Sequence, residues 1–227
     1  MRESVLPSAG MTWESLALIA VLGVAFGGIV WGMFFSRDSR IHRQLAAAPI
    51  QTVAGALQGT TVRLTGRAEP LEEVLLAPLS GRRCVHYRIL VEERQYRPQM
   101  SDPWIDVHRE ERSVDFLLRD ASGVARVRMS AARVALVVDR NSRSGLLDNP
   151  TPQEAALLER LGENPIGPGA MNRTLRYIEG AIELGEEVTV LGVASPGDEH
   201  HGLVVEAPPE GHVLVTDEPT TVRLGPR

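Results

Sequence analysis

Residues 84–94 read CVHYRILVEER, with Val85, Tyr87, Ile89 and Val91 at alternate positions and Cys84, His86, Arg88 and Leu90 between them. A period of two over that length predicts a β-strand with the first set on one face and the second on the other. Upstream, TTVRLTG at 60–66 sets Val62 and Leu64 against Arg63 and Thr65, a half-buried strand, and VLLAPLSG at 74–81 runs into a turn at Ser80 and Gly81. Downstream, VDFLLRDASGVARVRM at 114–129 predicts a hairpin connected by Asp120, Ala121, Ser122 and Gly123, with Val114, Phe116 and Leu118 alternating before it. IDVHREERS, ARVALVVD, EEVTVLGVAS, GLVVEA, GHVLVT and TTVRLG supply the remaining strand candidates.

Two helices are expected among these strands. Thr151 is placed to cap, Pro152 sits at the first helical position, and Glu154 closes a capping box ahead of Leu157, Leu158 and Leu161, with Gly162 as the stop. The second, LRYIEGAIEL at 175–184, sets Leu175, Ile178 and Ile182 on one side and stops at Gly185. The fold class is therefore mainly β with a small α insertion at about 145–185. Several short strands around one insertion suggest an OB-like β-barrel beginning near Thr60 and extending to residue 227.

Ahead of the barrel, SLALIAVLGVAFGGIVWGMFF, Ser15 to Phe35, contains no charge and has the length of a transmembrane helix. Trp13, Trp31, Phe34 and Phe35 mark its two ends. Only Arg2 precedes the span, whereas Arg37, Arg40 and Arg43 follow it, so residues 1–14 are expected outside and the C-terminal domain in the cytoplasm. Residues 36–59 read as a basic juxtamembrane linker or helix. Gly23 with Gly27, and Gly28 with Gly32, form G-x-x-x-G spacings that would let two such helices pack as a homodimer.

Composition excludes several chemistries. All 24 basic residues among the 227 are arginine, so no Schiff-base, P-loop or kinase-type lysine exists in this sequence. One cysteine, Cys84, excludes an intrachain disulfide and any multi-cysteine zinc module. Aromatic residues are 4% and the net charge is −5, which disfavours a nucleic-acid surface of stacked rings. Residues 82–143 carry thirteen Arg against nine acids and residues 144–227 five Arg against fourteen acids, so the two halves can attract one another.

The segments APLSGRRCVHYR (77–88) and FLLRDASG (116–123), and the spacing R-x-x-E-x-x-x-x-x-G-E-x-V-x-V-x-G from Arg176 to Gly192, resemble the GIDE domain, also called the "beside a membrane" domain. The relatives this resemblance brings in are mitochondrial membrane-anchored ubiquitin and SUMO ligases, which join such a domain to two spans and a C-terminal RING finger. A single cysteine cannot supply a RING's two zinc sites, and the sequence ends at Gly225-Pro226-Arg227 soon after its last strand. Transfer chemistry is thus not expected of this chain itself. Short bacterial forms of the domain are the implied comparison, and arginine in place of lysine is what a GC-rich genome gives, which would put the chain in a bacterial inner membrane.

Candidate chemistry is sparse. Cys84 and His86 share a strand face in this reading, but no orienting third residue or oxyanion signature accompanies them. Asp198-Glu199-His200-His201, with His212 beyond, reads as a polar turn, since neighbouring histidines on a strand point oppositely. Arg119, Arg126 and Arg128 surround the 120–123 turn and, with Arg82, Arg83 and Arg88, form the candidate binding set for a phosphate, nucleotide or acidic partner. No catalytic residue, metal or cofactor is assigned. The expectation is a membrane-anchored, non-catalytic interaction or sensor module for a protein or small ligand beside the bilayer. The alternative is a docking component of a GIDE-type ubiquitin ligase whose transfer step resides on another chain.

Overall fold

The computed structural model describes residues 40–95, 103–145, 148–167, 172–197 and 202–219. The chain divides into two units, Met1–Arg40 and Ile41–Arg227, and the elements below belong to the second. The expected span at 15–35, its glycines Gly23, Gly27, Gly28 and Gly32, and the strand candidate at 220–225 all lie outside the described residues. Among those described, no helix is long and apolar enough to cross a membrane.

In chain order come α1 (residues 40–47), β1 (Ile50–Gln51), a 3-10 turn at Val53–Gly55, β2 (Thr61–Pro70), β3 (Leu75–Leu76), β4 (Arg83–Arg94), β5 (Trp104–Ser113), β6 (Phe116–Arg119) and β7 (Val124–Val127). There follow β8 (Ala132–Ala135), β9 (Arg140–Ser144), α2 (Pro152–Leu161), β10 (Leu175–Glu183), β11 (Glu187–Pro196), β12 (Leu203–Glu206) and β13 (Val213–Thr216).

Five strands close a barrel. β2 pairs antiparallel with β6, β6 with β7, β12 with β11, and β11 returns to β2, while β7 and β12 pair in parallel. Alternate residues fill the inside, among them Val62, Leu64, Phe116, Leu118, Val188 and Val190, all fully buried. A closed ring leaves these strands no free edge. β13 and β8 continue from β11, and α1 lies over that extension, where Ile41 and Leu45 pack with Ala135, Leu214 and Leu191. The second compact unit runs from Ile41 to Arg227 and so includes these residues of α1. Arg63 also departs from the half-buried reading: it is 2% exposed, and its Nη1 donates to the Ala48 carbonyl at 3.2 Å.

The second sheet is built around β4. β10 lies on one side with β9 beyond it, and β5 and β3 lie on the other. Tyr87, Ile89, Val91, Leu175 and Tyr177 form its inner face against Leu157 and Leu158 of α2. The helix start is as expected: Thr151 Oγ1 accepts from Glu154 N, the Glu154 carboxylate accepts from Thr151 N, and Gly162 closes the helix in the left-handed region.

The helix expected at 175–184 is instead strand β10. Its Leu175, Ile178 and Ile182 do fit a helical period, but Leu175, Tyr177 and Ala181 also fit a period of two, and burial selects the latter. β10 is bonded along both edges, to β4 over its whole length and to β9 from Leu175 to Glu179. Gly185, expected as a helix stop, is the positive-φ residue of the β10–β11 turn. Among its described residues, the 145–185 insertion therefore contains one helix and a central strand.

The face assignment within 84–94 is corrected at one end. The β4–β10 register slips so that Ile182 pairs with His86 and Glu183 with Cys84, leaving Val85 as the extra residue of a bulge. Val85 and Ile182 then enter the barrel core, while Cys84 packs with Tyr87 and Ile89 in the second core. The same two strands serve both cores.

Candidate binding face on the barrel

The six arginines singled out from sequence fall into two groups. Arg82, Arg83 and Arg88 lie at or within β4 on the second sheet, and Arg119, Arg126 and Arg128 lie on or next to the barrel strands β6 and β7. Arg82 pairs with Glu183 and reaches Asp139 at 3.4 Å. Arg88 binds the Glu111 carboxylate through Nε and Nη2, and Nη2 also donates to the Val134 carbonyl at 3.0 Å. Arg83 is exposed.

The barrel group forms three ion pairs between neighbouring segments. Arg119 Nε donates to Glu69 at 2.7 Å, Arg126 Nη2 to Asp115 at 2.9 Å, and Arg128 Nη1 to Glu206 at 3.1 Å. Each guanidinium has a carboxylate, so the wall is charged but locally balanced. Surface pairs of this kind contribute roughly 0–1 kcal/mol each, so they are available to exchange partners.

At one end of this wall is a shallow notch of about 400 Å³ lined by Thr65, Gly66, Arg67, Arg119, Asp120 and Glu187, together with Ala121. Arg67 is exposed and stands directly opposite Arg119 in the β2–β6 register and opposite Glu187 in the β2–β11 register. Gly66 forms the floor because a Cβ there would lie 2.4 Å from the Arg119 carbonyl oxygen. The close approach of β6 requires glycine for this steric reason. Sequence reading found Arg119 but not Arg67 or Gly66; the cross-strand register that brings them together had no local signal.

Asp120 holds the notch's outer lip. Its Oδ1 accepts from Ser122 N, Ser122 Oγ and Gly123 N, and its Oδ2 accepts from Val53 N at 2.8 Å. Burial by itself would raise this carboxyl, but the hydrogen bonds outweigh burial and hold it below the usual range. Asp120→Ala should cost about 1–3 kcal/mol by releasing these donors, read as a lowered urea midpoint at unchanged slope.

Cys84 and His86 do not form a pair on one face. Cys84 is fully buried, and its thiol is pushed up to about 11, first by burial and then by Glu179 and Glu183. His86 is equally buried, with Nδ1 at 2.8 Å from Ser113 Oγ, and burial pushes it down to about 4. Both are held neutral, the wrong state for a thiolate–imidazolium couple. Asp198, Glu199, His200 and His201 lie outside the described residues, and His212 Nδ1 faces the Ala131 carbonyl at 3.3 Å. Among the described residues no group of three or more His, Cys, Asp or Glu is arranged to hold a metal ion.

A second concavity of about 420 Å³ lies beside α1, with Gln44, Arg133, Glu210 and His212 among its polar walls. Arg133 is exposed there on β8. Sequence reading did not single it out.

Fold and surface together define a β-barrel module with a charged wall and a second sheet built into its connections. The family model GIDE, described as E3 ubiquitin ligase, matches residues 88–221, which is more than half of the chain. The chain belongs to the GIDE family. Comparison with curated proteins and with solved structures gives no significant match.

Proposed function

We propose that this chain is a non-transferring interaction module, held beside a bilayer by its apolar N-terminal segment, which binds an acidic partner or ligand through the barrel wall. The observation that carries the reading is the row of three arginine–carboxylate pairs on neighbouring barrel segments, ending in the Arg67–Arg119 notch. The ring order, with its single parallel closure between β7 and β12, supports reading the ring as an OB-type barrel. Such barrels bind through the corresponding strands, which supports the reading by analogy. An incoming carboxylate or phosphate would replace the internal partners, at least cost for Arg119 and Arg128, which are exposed, and at more for the half-buried Arg126–Asp115 pair.

The test is crosslinking of the full chain in native membranes, with partners identified by mass spectrometry beside an anchor-only control. Reversing Arg126 and Arg128 to Glu should abolish a reproducible partner while shifting the melting temperature by only a few degrees. An unchanged partner set would remove the wall from the binding reading. Reversal of Arg82, Arg83 and Arg88 is the second arm and asks whether the second sheet contributes.

The alternative, docking within a ubiquitin-ligase assembly, draws on the description of the family. It requires a partner chain that discharges a charged conjugating enzyme in the presence of this one and not in its absence.

A further inference from the structure

The outer face of the second sheet carries a charge imbalance. On that face Arg176 is bound to Glu92 at 2.6–2.7 Å, Arg109 to Asp106 at 2.9 Å, and Arg88 to Glu111 at 3.1 Å. Arg94, opposite Trp104, lies on the same face, and among the described residues Arg143 forms no ion pair there. Arg143 stands directly opposite Arg176 in the β9–β10 register, is exposed, and lies over the Trp104 ring, 5.6 Å from its centroid. Arg176 stacks on the same ring at 4.5 Å while keeping Glu92. Like charges directly opposite each other on a sheet repel, and cation–π contact with one half-buried indole offsets this only in part.

β9 is also the last strand on its side of the sheet among the described residues, so a row of main-chain groups runs beside Arg143. Tryptophan and arginine are the residue types that dominate binding energy at protein interfaces. A sheet edge recognises an extended chain, and side chains two residues apart on that chain fall on one face.

We infer that Arg143, Trp104 and Arg176, with the edge of β9, form a docking surface for an extended acidic peptide segment of a partner protein. One carboxylate of the segment meets Arg143 and relieves its repulsion with Arg176, and the aliphatic part of a neighbouring side chain covers the Trp104 ring. The surface lies on the second sheet and is independent of the barrel wall, so either assignment can fail without the other.

The test uses the full chain in detergent and a dye-labelled oligo-glutamate peptide followed by fluorescence anisotropy, with an oligo-lysine peptide and inorganic phosphate as comparisons. Arg143→Glu should weaken binding of the glutamate peptide by about ten-fold or more, whereas Arg112→Glu, the same charge change at an exposed position of β5, should alter it by less than about two-fold. Trp104→Phe should fall between the two. Arg143→Gln repeats the loss without reversing charge, should Arg143→Glu lower the melting temperature. Absence of saturable binding, equal loss in Arg112→Glu, or no loss at Arg143 would each overturn the assignment. So would competition by inorganic phosphate matching that of unlabelled peptide at equal ionic strength, since the surface would then be a general anion seat.

Discussion

Asp217→Asn should stabilise the protein by about 2–4 kcal/mol at about pH 8 and change it little near pH 4. Asp217 is 5% exposed; its Oδ1 accepts from Val137 N at 2.9 Å, and among the described residues its Oδ2 has no hydrogen-bond partner. Burial first, and then Glu186 and Asp139, push its carboxyl up to about 7 against the Val137 hydrogen bond. Between about pH 4 and 7 the unfolded chain has already released a proton that the folded chain retains. Stability from this group therefore falls as pH rises through that window, by about 1.4 kcal/mol per unit, which places a ceiling of roughly 4 kcal/mol on the effect. Asparagine keeps the acceptor for Val137 and removes the buried charge.

His86 works in the opposite direction. Its folded value of about 4 lies below the ordinary one, so its contribution is present above about pH 6.5 and is lost as pH falls toward 4. In the parent protein the two slopes oppose each other. Urea midpoints across pH should therefore be nearly level in the parent, whereas those of Asp217→Asn should rise with pH up to about 6.5. Parallel curves for the two proteins would show that Asp217 does not titrate in this range.

Gly66→Ala should cost about 2–3 kcal/mol or more and close the notch. The added Cβ would meet only backbone: the Arg119 carbonyl oxygen at 2.4 Å, its carbon at 2.8 Å and Asp120 N at 3.2 Å. No side-chain rotation relieves that, so β6 must move away from β2, and the Asp120 turn that holds Val53 moves with it. Gly59→Ala is the useful contrast. Gly59 has a positive φ of 80° and open space around it, so its penalty is the left-handed backbone alone, about 1 kcal/mol. Equal urea midpoints for the two variants would show that the β2–β6 approach is not the tight contact described.

Local signals were legible wherever chemistry and geometry act within a few residues. The Thr151–Glu154 box, the Asp120–Gly123 turn and the alternation of Phe116 and Leu118 all appear as read. The six candidate arginines were visible as residues but not as pairs. Glu69 lies 50 positions from Arg119 and Glu206 lies 78 from Arg128, and such partners are chosen by strand register. Arg67, Arg133, Arg143 and Trp104 were missed for the same reason, since nothing near them in sequence states what stands opposite.

By itself the sequence determined that the chain is mainly β, that a capped helix starts at Thr151, and that lysine and multi-cysteine chemistry are absent from these residues. Periodicity, capping and composition are local properties, and they survive folding. Only the tertiary structure decided that 175–183 is a strand, because two periods fit its apolar residues and the hydrogen-bonding edges of β4 and β9 selected one. It likewise decided that Val85 leaves its neighbours for the barrel core, because a one-residue slip between β4 and β10 reverses the face of every residue beyond it.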